Sequence, residues 1–450
     1  MLVNKFIGLL SVLFATTRFT NAVELDLDNY QSLQNATSLI AYGLMDYYTG
    51  DQYGKTVGMF SDPYYWWEAG GAWGCMLDYW FFMENDTYND EITAAMIHQA
   101  GDDNDYIPLN QSTTEGNDDQ AFWGIAAMTA AERNFTNPPS DEPQWLYLAQ
   151  AVFNTMALRW DADSCGGGLR WQIFVWNSGY DYKNTVSNGA LFHIAARLAR
   201  YTGNETYVDW AEKVYEWMVG VNLISNGTYK YVYDGVSIDD NCTKVTSYQW
   251  TYNQGLLLAG SAYLYNFTGS DLWHTRTKEF LNASQVFFHD GIVYEAACQG
   301  PNSCNTDQRS FKAYFARFLG VTAQLVPETR SQIMSWLNTS AIAAAKSCSG
   351  GTDGHTCGLN WFNGTWDGMY GLGEQMAALE VMVNTRALDR PSPYTADNGG
   401  SSVGDGAAGT QAQPTNLSPL NITKGSKAGA GIITAVIGIS IVACALWLVF

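Results

Sequence analysis

The run Tyr65-Trp66-Trp67-Glu68-Ala69-Gly70-Gly71-Ala72-Trp73 opens a segment that stays apolar on nearly every side through residue 84. A helix without a polar face is buried on most faces. Five later segments open the same way, with a polar and aromatic cluster running into small or apolar residues. They are Asn117-Asp118-Asp119-Gln120-Ala121-Phe122-Trp123-Gly124, Lys183-Asn184-Thr185-Val186-Ser187-Asn188-Gly189-Ala190, Trp250-Thr251-Tyr252-Asn253-Gln254-Gly255, Gln308-Arg309-Ser310-Phe311-Lys312 and Trp366-Asp367-Gly368-Met369-Tyr370-Gly371.

Around these runs, helical spacing broken by Gly, Pro and Asn extends from Asp28 to about Ala387. It predicts twelve helices, near 28–50, 64–84, 89–101, 117–134, 143–160, 184–203, 205–220, 247–268, 270–290, 307–322, 327–347 and 367–387. The six apolar segments are the even-numbered ones, and odd ones such as 205–220 carry a polar face. Buried helices alternating with amphipathic ones imply an inner ring wrapped by an outer ring. The expected fold is all-α, an (α/α)6 barrel of six helical hairpins. Every inner helix then points its N-terminus at one barrel end, and the polar clusters meet around one mouth. Cys165 to Tyr182 and Tyr229 to Thr246 break the helical pattern with β-branched, aromatic and turn residues, and are expected to form short β-hairpins beside that mouth.

The two ends read differently from the body at 23–390. Residues 1–22, with Lys5 ahead of an apolar run and small residues at the end, have the pattern of a secretory signal peptide. Residues 391–427 shift to Pro, Ser, Gly and Asn, which predicts a flexible stalk. The tail 428–450 is apolar from Gly431 onward and carries no basic residue behind it, the pattern of a glycosylphosphatidylinositol (GPI) signal that is removed on attachment. Asn421, Gly425 and Ser426 all suit the attachment site. These ends imply secretion through the ER and anchoring at the outer face of the plasma membrane, within reach of a cell wall.

The formal net charge is −21, which repels nucleic acid and suits a neutral or cationic ligand. With 17 Trp, 27 Tyr and 20 Phe, flat rings are available to stack on the apolar faces of sugars. Asn-x-Ser/Thr sequons recur along the chain, as in a glycosylated surface protein. In an oxidising compartment, Cys298 pairs naturally with Cys304, Cys348 with Cys357, and Cys165 with Cys242, leaving Cys75 as a buried thiol. Neither Cys-x-x-Cys nor His-Glu-x-x-His occurs, so no metal site and no cofactor are expected. Gly400-Ser401-Ser402-Val403-Gly404 fits a nucleophile elbow but has no strand before it and no helix after it.

Asp118 and Asp119 fall at a helix start, with Asn117 expected at the N-cap and Gln120 reaching back to it. Acidic residues favour helix starts on electrostatic grounds alone, so the pair by itself decides little. Its setting adds weight: Phe122-Trp123 follows, Thr113-Thr114-Glu115-Gly116 leads in, and five companion clusters share the barrel end. Glycoside cleavage needs one protonated and one ionised carboxyl flanking the bond. The helix terminus stabilises one carboxylate, and that anion raises the proton affinity of its neighbour. Adjacent α-carbons lie ~3.8 Å apart, which fits the close spacing of retaining enzymes better than the wider inverting gap. Trp67, Trp73 and Trp123 are candidate stacking platforms, and Glu68 lies near the mouth. Asn117, Asn188, Tyr252, Asn253 and Lys312 are candidate hydrogen-bonding partners of sugar hydroxyls. Lys312, between aromatic neighbours, is expected to face water or a ligand.

The run Asn117 to Trp123, with Lys183-Asn184 to Ser187-Asn188-Gly189, Thr251-Tyr252-Asn253-Gln254-Gly255 and the GPI-like tail, resembles the fungal endo-α-1,6-mannosidase-like proteins of glycoside hydrolase family 76. The resemblance spans roughly residues 25 to 390. It implies an (α/α)6 barrel and a retaining mechanism with Asp118 as nucleophile and Asp119 as acid/base. It also implies α-1,6-mannose-containing glycans as substrate, the GPI glycan core among them, with cell-wall glucan as an acceptor. A catalytically inert wall-glycan-binding or structural protein on the same barrel is the alternative.

Overall fold

Helices form where the apolar spacing places them. The structure, a computed structural model, describes residues 22–111, 113–411, 425 and 431–440. Among these, the elements of the body are α1 (Tyr30–Met45), α2 (Trp66–Met83), α3 (Asn89–His98), α4 (Asn117–Glu132), α5 (Trp145–Leu158), α6 (Thr185–Thr202), α7 (Thr206–Gly220), α8 (Thr251–Thr268), α9 (Asp271–Ala283), α10 (Phe311–Leu325), α11 (Arg330–Ser347) and α12 (Leu372–Val383). The even-numbered helices pack in a closed ring, each beside the next, with α12 returning to α2. The others lie outside: α5 against α4 and α6, α7 on α6, α9 on α8, α11 on α10 and α12, and α1 on α12 and α2. This is the expected (α/α)6 barrel.

The apolar faces explain the ring. In α4 every residue except Asp118 and Asp119 is buried, and in α12 every residue is. Trp73, Trp123, Trp145, Trp273 and Trp361 are all fully enclosed. Each such side chain contributes on the order of 1.5–3 kcal/mol. The lower lumen, beneath the helix N-termini, is filled by ion pairs. Arg317 of α10 donates to Asp78 of α2 at 2.8 Å and to Glu380 of α12, while Arg133, just after α4, reaches Asp78 at 2.9 Å. Arg197 of α6 pairs with Glu132 of α4 at 2.6 Å, and Tyr263 of α8 donates to the same carboxylate at 2.9 Å. Every inner helix thus contributes to a polar plug that closes the barrel below the mouth.

Strands are few. β1 (Tyr182–Asn184), β2 (Gly235–Ser237) and β3 (Val245–Thr246) form one antiparallel sheet in the order β1-β2-β3. The hairpin expected within 165–182 does not form: that stretch is a chain of turns, and only its end joins the sheet, by pairing with β2. A second correction concerns the helix expected over 270–290. It ends at Ala283, and β4 (Phe288–His289) pairs with β5 (Ile292–Val293) instead. Asp290 and Gly291 between them both take positive φ, 51° and 77°, the Asp-Gly turn that favours a tight hairpin over a helix.

All three expected disulfides are present, Cys165–Cys242, Cys298–Cys304 and Cys348–Cys357, and Cys75 is a buried free thiol. The stalk expectation is corrected for 391–411. Tyr394 N–H donates to Glu132 O, Ser402 Oγ accepts from Leu146 N–H at 2.9 Å, and Asn154 donates to Gly406 O and Ala408 O. Glycine and serine let this strap lie flat along α5, with backbone groups paired to the barrel. The rest of the stalk, the leader and most of the tail fall outside the described residues. Among the described residues no helix is long and apolar enough to cross a membrane.

Candidate active site

A cleft of about 530 Å³ opens at the N-terminal end of the inner helices. Its floor and one wall come from the first turn of α4. Gly116 is the N-cap there and Asn117 the first helical residue, a shift of one from the expected cap. The reach-back is made by Asp119, whose Oδ2 accepts from Gly116 N–H at 2.6 Å. Gln120 does not cap; it turns outward to Asp105 O, Thr155 Oγ1 and Arg159. Trp171 O accepts from Asn117 N–H at 2.8 Å and Arg170 O from the Asn117 side chain at 2.8 Å. The turns of 165–181 therefore hold the α4 start in place.

Both aspartates line the cleft. Burial pushes the Asp118 carboxyl well above the usual range, the charge of Asp119 adds to the rise, and N–H groups of the first turn with the Trp171 indole oppose it. Asp119 is raised by burial and by Asp307 against the Gly116 hydrogen bond. Two acids in contact in a site of low polarity hold one proton between them. The Gly116 N–H and the helix start favour an anion on this turn, and the charge of one carboxylate keeps the proton on its neighbour. One carboxyl is thereby set up to attack and the other to protonate.

Aromatic side chains build the remaining walls. Tyr252 and Phe311 stack at 3.8 Å between ring centres and 8° between planes, and Phe122 lies nearly parallel to Tyr252 at 6.4 Å. Trp67 packs on Phe122 at 4.7 Å and donates its indole N–H to Asp307 Oδ1 at 3.2 Å. Trp250 donates to Asp234 Oδ1 at 2.8 Å, and Tyr182 to Asp234 Oδ2 at 2.6 Å. Trp171, 36% exposed, and Tyr65, 64% exposed, stand at the rim. Flat apolar rings beside carboxylates are what a sugar ring, apolar on its faces and polar at its edges, requires.

Of the residues singled out in the sequence, Asp118, Asp119, Trp67 and Tyr252 line the cleft and the others do not. Trp73 is core: its indole donates to Gly58 O and packs on Tyr48 and Phe60. Trp123 is sandwiched between Trp66 and Tyr106 behind the wall. Asn188 fastens Leu169 N–H and C=O, and Asn117 is spent on Arg159 and Arg170. Asn253 is buried next to Tyr252 and does not line the cleft. Glu68 is fully buried without a hydrogen-bonding partner among the described residues, its carboxyl driven well above the usual range by burial, then by Asp307 and Glu374. Lys312 does not face water: its ammonium donates to Leu359 O at 2.7 Å, lies over Trp361 and is lowered to about 7 by burial.

Residues the sequence did not single out complete the site: Asp307, Asp234, Trp171, Gln172, Trp250, Phe311 and Glu115. Asp307 directly precedes the cluster Gln308 to Lys312, a signal available in the sequence. Asp234 and Trp171 sit on non-helical connections, where periodicity gives no register. Among the described residues no cluster of His, Cys, Asp and Glu is arranged to hold a metal ion.

A helical barrel whose mouth carries paired acids among stacked rings defines a carbohydrate-cleaving enzyme. Residues 32–397 match Glycosyl hydrolase family 76, and the chain belongs to that family. It is a glycoside hydrolase. It is 96% identical over 450 residues, the whole of both chains, to "Mannan endo-1,6-alpha-mannosidase DCW1" of Saccharomyces cerevisiae. Its fold is similar to the crystal structure of Dfg5 from Chaetomium thermophilum in complex with glucosamine, with a TM-score of 0.83, 41% identity, and coverage of 85% of this chain and 97% of that one. It is also similar to an α-1,6-mannanase of Salegentibacter sp. HEL1_6, solved as an inactive variant with two consecutive aspartates changed to asparagine and bound to α-1,6-mannotriose. That match has a TM-score of 0.63 at 17% identity, and covers 79% of this chain and 99% of that one.

Proposed function

We propose that this chain is a cell-surface, endo-acting α-1,6-mannosidase of the retaining type, with Asp118 as nucleophile and Asp119 as acid/base. The observation that carries this reading is the adjacent pair of carboxyls on the first turn of α4, set in an aromatic cleft with one proton between them. Asp118 attacks C1 of a mannose, the C1–O6 bond breaks, and Asp119 passes its proton to the leaving oxygen. Asp119, now a carboxylate, then takes a proton from water or a sugar hydroxyl as that oxygen attacks C1 and releases Asp118. The names of the relatives and the mannotriose complex of the bacterial enzyme support α-1,6-mannose as substrate.

The finer reading is a transglycosidase that works on the GPI glycan core, carries mannoproteins to cell-wall glucan and is itself held at the membrane by a GPI anchor. The lining supports a glycan with a cationic sugar: Glu115, Asp118, Asp119, Asp234 and Asp307 are present and no Lys, Arg or His accompanies them. The glucosamine bound by the Chaetomium relative is such a sugar. The test is to incubate the full-length protein with α-1,6-mannotetraose and follow products by mass and anomeric NMR. Shorter products of retained configuration support hydrolysis, and longer ones support transfer. Inverted products overturn the retaining assignment. Binding without turnover returns the inert glycan-binding protein.

A further inference from the structure

Two exposed tryptophans, Trp171 and Trp176, stand on one non-helical segment beside the cleft, and both rings are held in place. The segment runs antiparallel along the lead-in to α4. Gly116 pairs with Gln172, Ile173 N–H donates to Glu115 O at 3.2 Å, and the Trp176 indole N–H donates to Thr113 O at 3.1 Å. Bonds inside the segment keep its shape: Asn177 donates to Gln172 Oε1 at 3.1 Å, Arg170 donates to Tyr180 O at 3.0 Å with its guanidinium over the Tyr180 ring, and Cys165 is joined to Cys242. The Trp171 ring lies against Gly179, where a β-carbon would come within 2.4 Å of it. The Trp176 ring lies on Phe174, with 5.1 Å between centres and 18° between planes. Phe174 is 4% exposed and Trp176 45%, so the indole is backed on one side by a buried ring and open to solvent elsewhere.

We infer that Trp176 is the stacking platform of a glycan subsite outside the cleft, so that the protein recognises at least one sugar beyond those the cleft encloses. The inference rests on the α-1,6-mannosidase reading above and deepens it toward chain length. Trp171, Gln172, Thr114 and Glu115 line the cleft, and Trp176 continues the same edge outward, beside Thr113. Thr113 precedes Gly116 by three residues, at most about 11 Å of chain. A short oligosaccharide held at Asp118 and Asp119 spans that distance. The indole N–H already has its acceptor in Thr113 O, so what the side chain offers a ligand is its flat face, the surface on which the apolar C–H side of a sugar stacks. Because the ring is fixed before a ligand arrives, binding does not have to order it. A ring serving only the packing of the barrel would be enclosed, as Trp73 and Trp123 are, and this one is not.

The test compares full-length wild type with Trp176→Ala and Trp176→Phe on a ladder of α-1,6-mannooligosaccharides up to mannohexaose. kcat/KM is measured for each length, and mannohexaose binding is measured by titration calorimetry. Wild type is expected to gain kcat/KM from the shortest chain it cleaves to the longest. In Trp176→Ala that gain is expected to shrink roughly tenfold, the worth of one stacked ring, with mannohexaose binding weakened to match. Trp176→Phe, which keeps a ring over Phe174 and gives up the bond to Thr113, is expected to retain most of the gain. A length dependence in Trp176→Ala equal to that of wild type overturns the inference, and so does a loss spread evenly over all lengths, which would mark Trp176 as a support of the segment. If wild type cleaves no member of the ladder, the functional reading has failed. Calorimetry then still judges the platform: weaker mannohexaose binding in Trp176→Ala upholds it, and equal or absent binding in both proteins overturns it.

Discussion

The backbone N–H of Gly116 donates to Asp119 Oδ2 at 2.6 Å, while its α-carbon faces the side chain of Asp118. A methyl group on Gly116 would lie 2.3 Å from Asp118 Oδ1 and 3.0 Å from Trp171 O. The φ of −93° suits any residue, so glycine is required here for space and not for conformation. Both acids are placed by one residue without a side chain.

Gly116→Ala is therefore expected to push the Asp118 carboxylate aside while leaving the barrel folded. Displacing a reacting group by about 1 Å costs on the order of 100-fold in rate. Steady-state kinetics on α-1,6-mannotetraose, read beside a thermal melt, checks it. Wild-type kcat/KM in this variant would refute the close-packed arrangement.

Azide separates the two aspartates. In Asp119→Ala the glycosyl-enzyme still forms on substrates with good leaving groups, and azide attacking it gives a mannosyl azide of retained configuration. In Asp118→Ala no covalent intermediate forms, and azide entering from the vacated side gives the inverted product. NMR of the azide products reads the assignment directly. The opposite pattern would exchange the roles of Asp118 and Asp119.

Much of this was legible in the sequence, and what was not has a physical cause. The ring was visible because α2 and α4 are apolar all round, a property that survives errors of a few residues at helix ends. Asp118 and Asp119 were visible because two adjacent acids open an otherwise apolar helix whose N-terminus lies at the mouth. Trp73 and Trp123 were misplaced because, further along a helix, rotation by a single residue turns a side chain from the cleft into a neighbouring helix, and Lys312, the second residue of α10, because its neighbour Phe311 takes the cleft side instead. Trp73 landed on Tyr48 and Phe60, and Lys312 on Trp361 and the carbonyl of Leu359. Asp234 escaped because its position is set by pairing between distant segments, β2 with β1 and β3. The strap at 391–411 escaped because Gly- and Ser-rich chain looks the same whether it hangs free or lies against α5.

The lumen network makes a prediction about stability. Arg317 bridges Asp78 and Glu380 in the absence of solvent, so Arg317→Met strands the Glu380 carboxyl and leaves Asp78 with Arg133 alone. Breaking a buried pair from one side costs roughly 3–5 kcal/mol. Adding Glu380→Gln to Arg317→Met removes the stranded charge while Asp78 keeps Arg133, and is expected to recover most of the loss. Chemical denaturation of the single and double variants measures it, and a single variant as stable as wild type would show that the network contributes nothing.

Glu68 links stability to pH. Its carboxyl is enclosed, without a hydrogen-bonding partner among the described residues, and raised well above the ordinary value by burial, with Asp307 and Glu374 adding to the rise and Arg309 opposing it. In the unfolded chain it titrates near 4.3. Below that pH both states are protonated and the contribution of Glu68 is fully present. As the pH climbs past it, the unfolded chain gives up its proton while the folded protein keeps one, so the folded state loses ground until its own carboxyl ionises. Wild type should therefore lose melting temperature as the pH climbs above the unfolded value, for as long as only the unfolded chain is ionised at this position. Glu68→Gln fills the same space with a side chain that does not titrate, and its melting temperature should fall less over the same interval. Identical slopes for the two proteins would mean that Glu68 is ionised in the fold and that a partner for its charge has yet to be found.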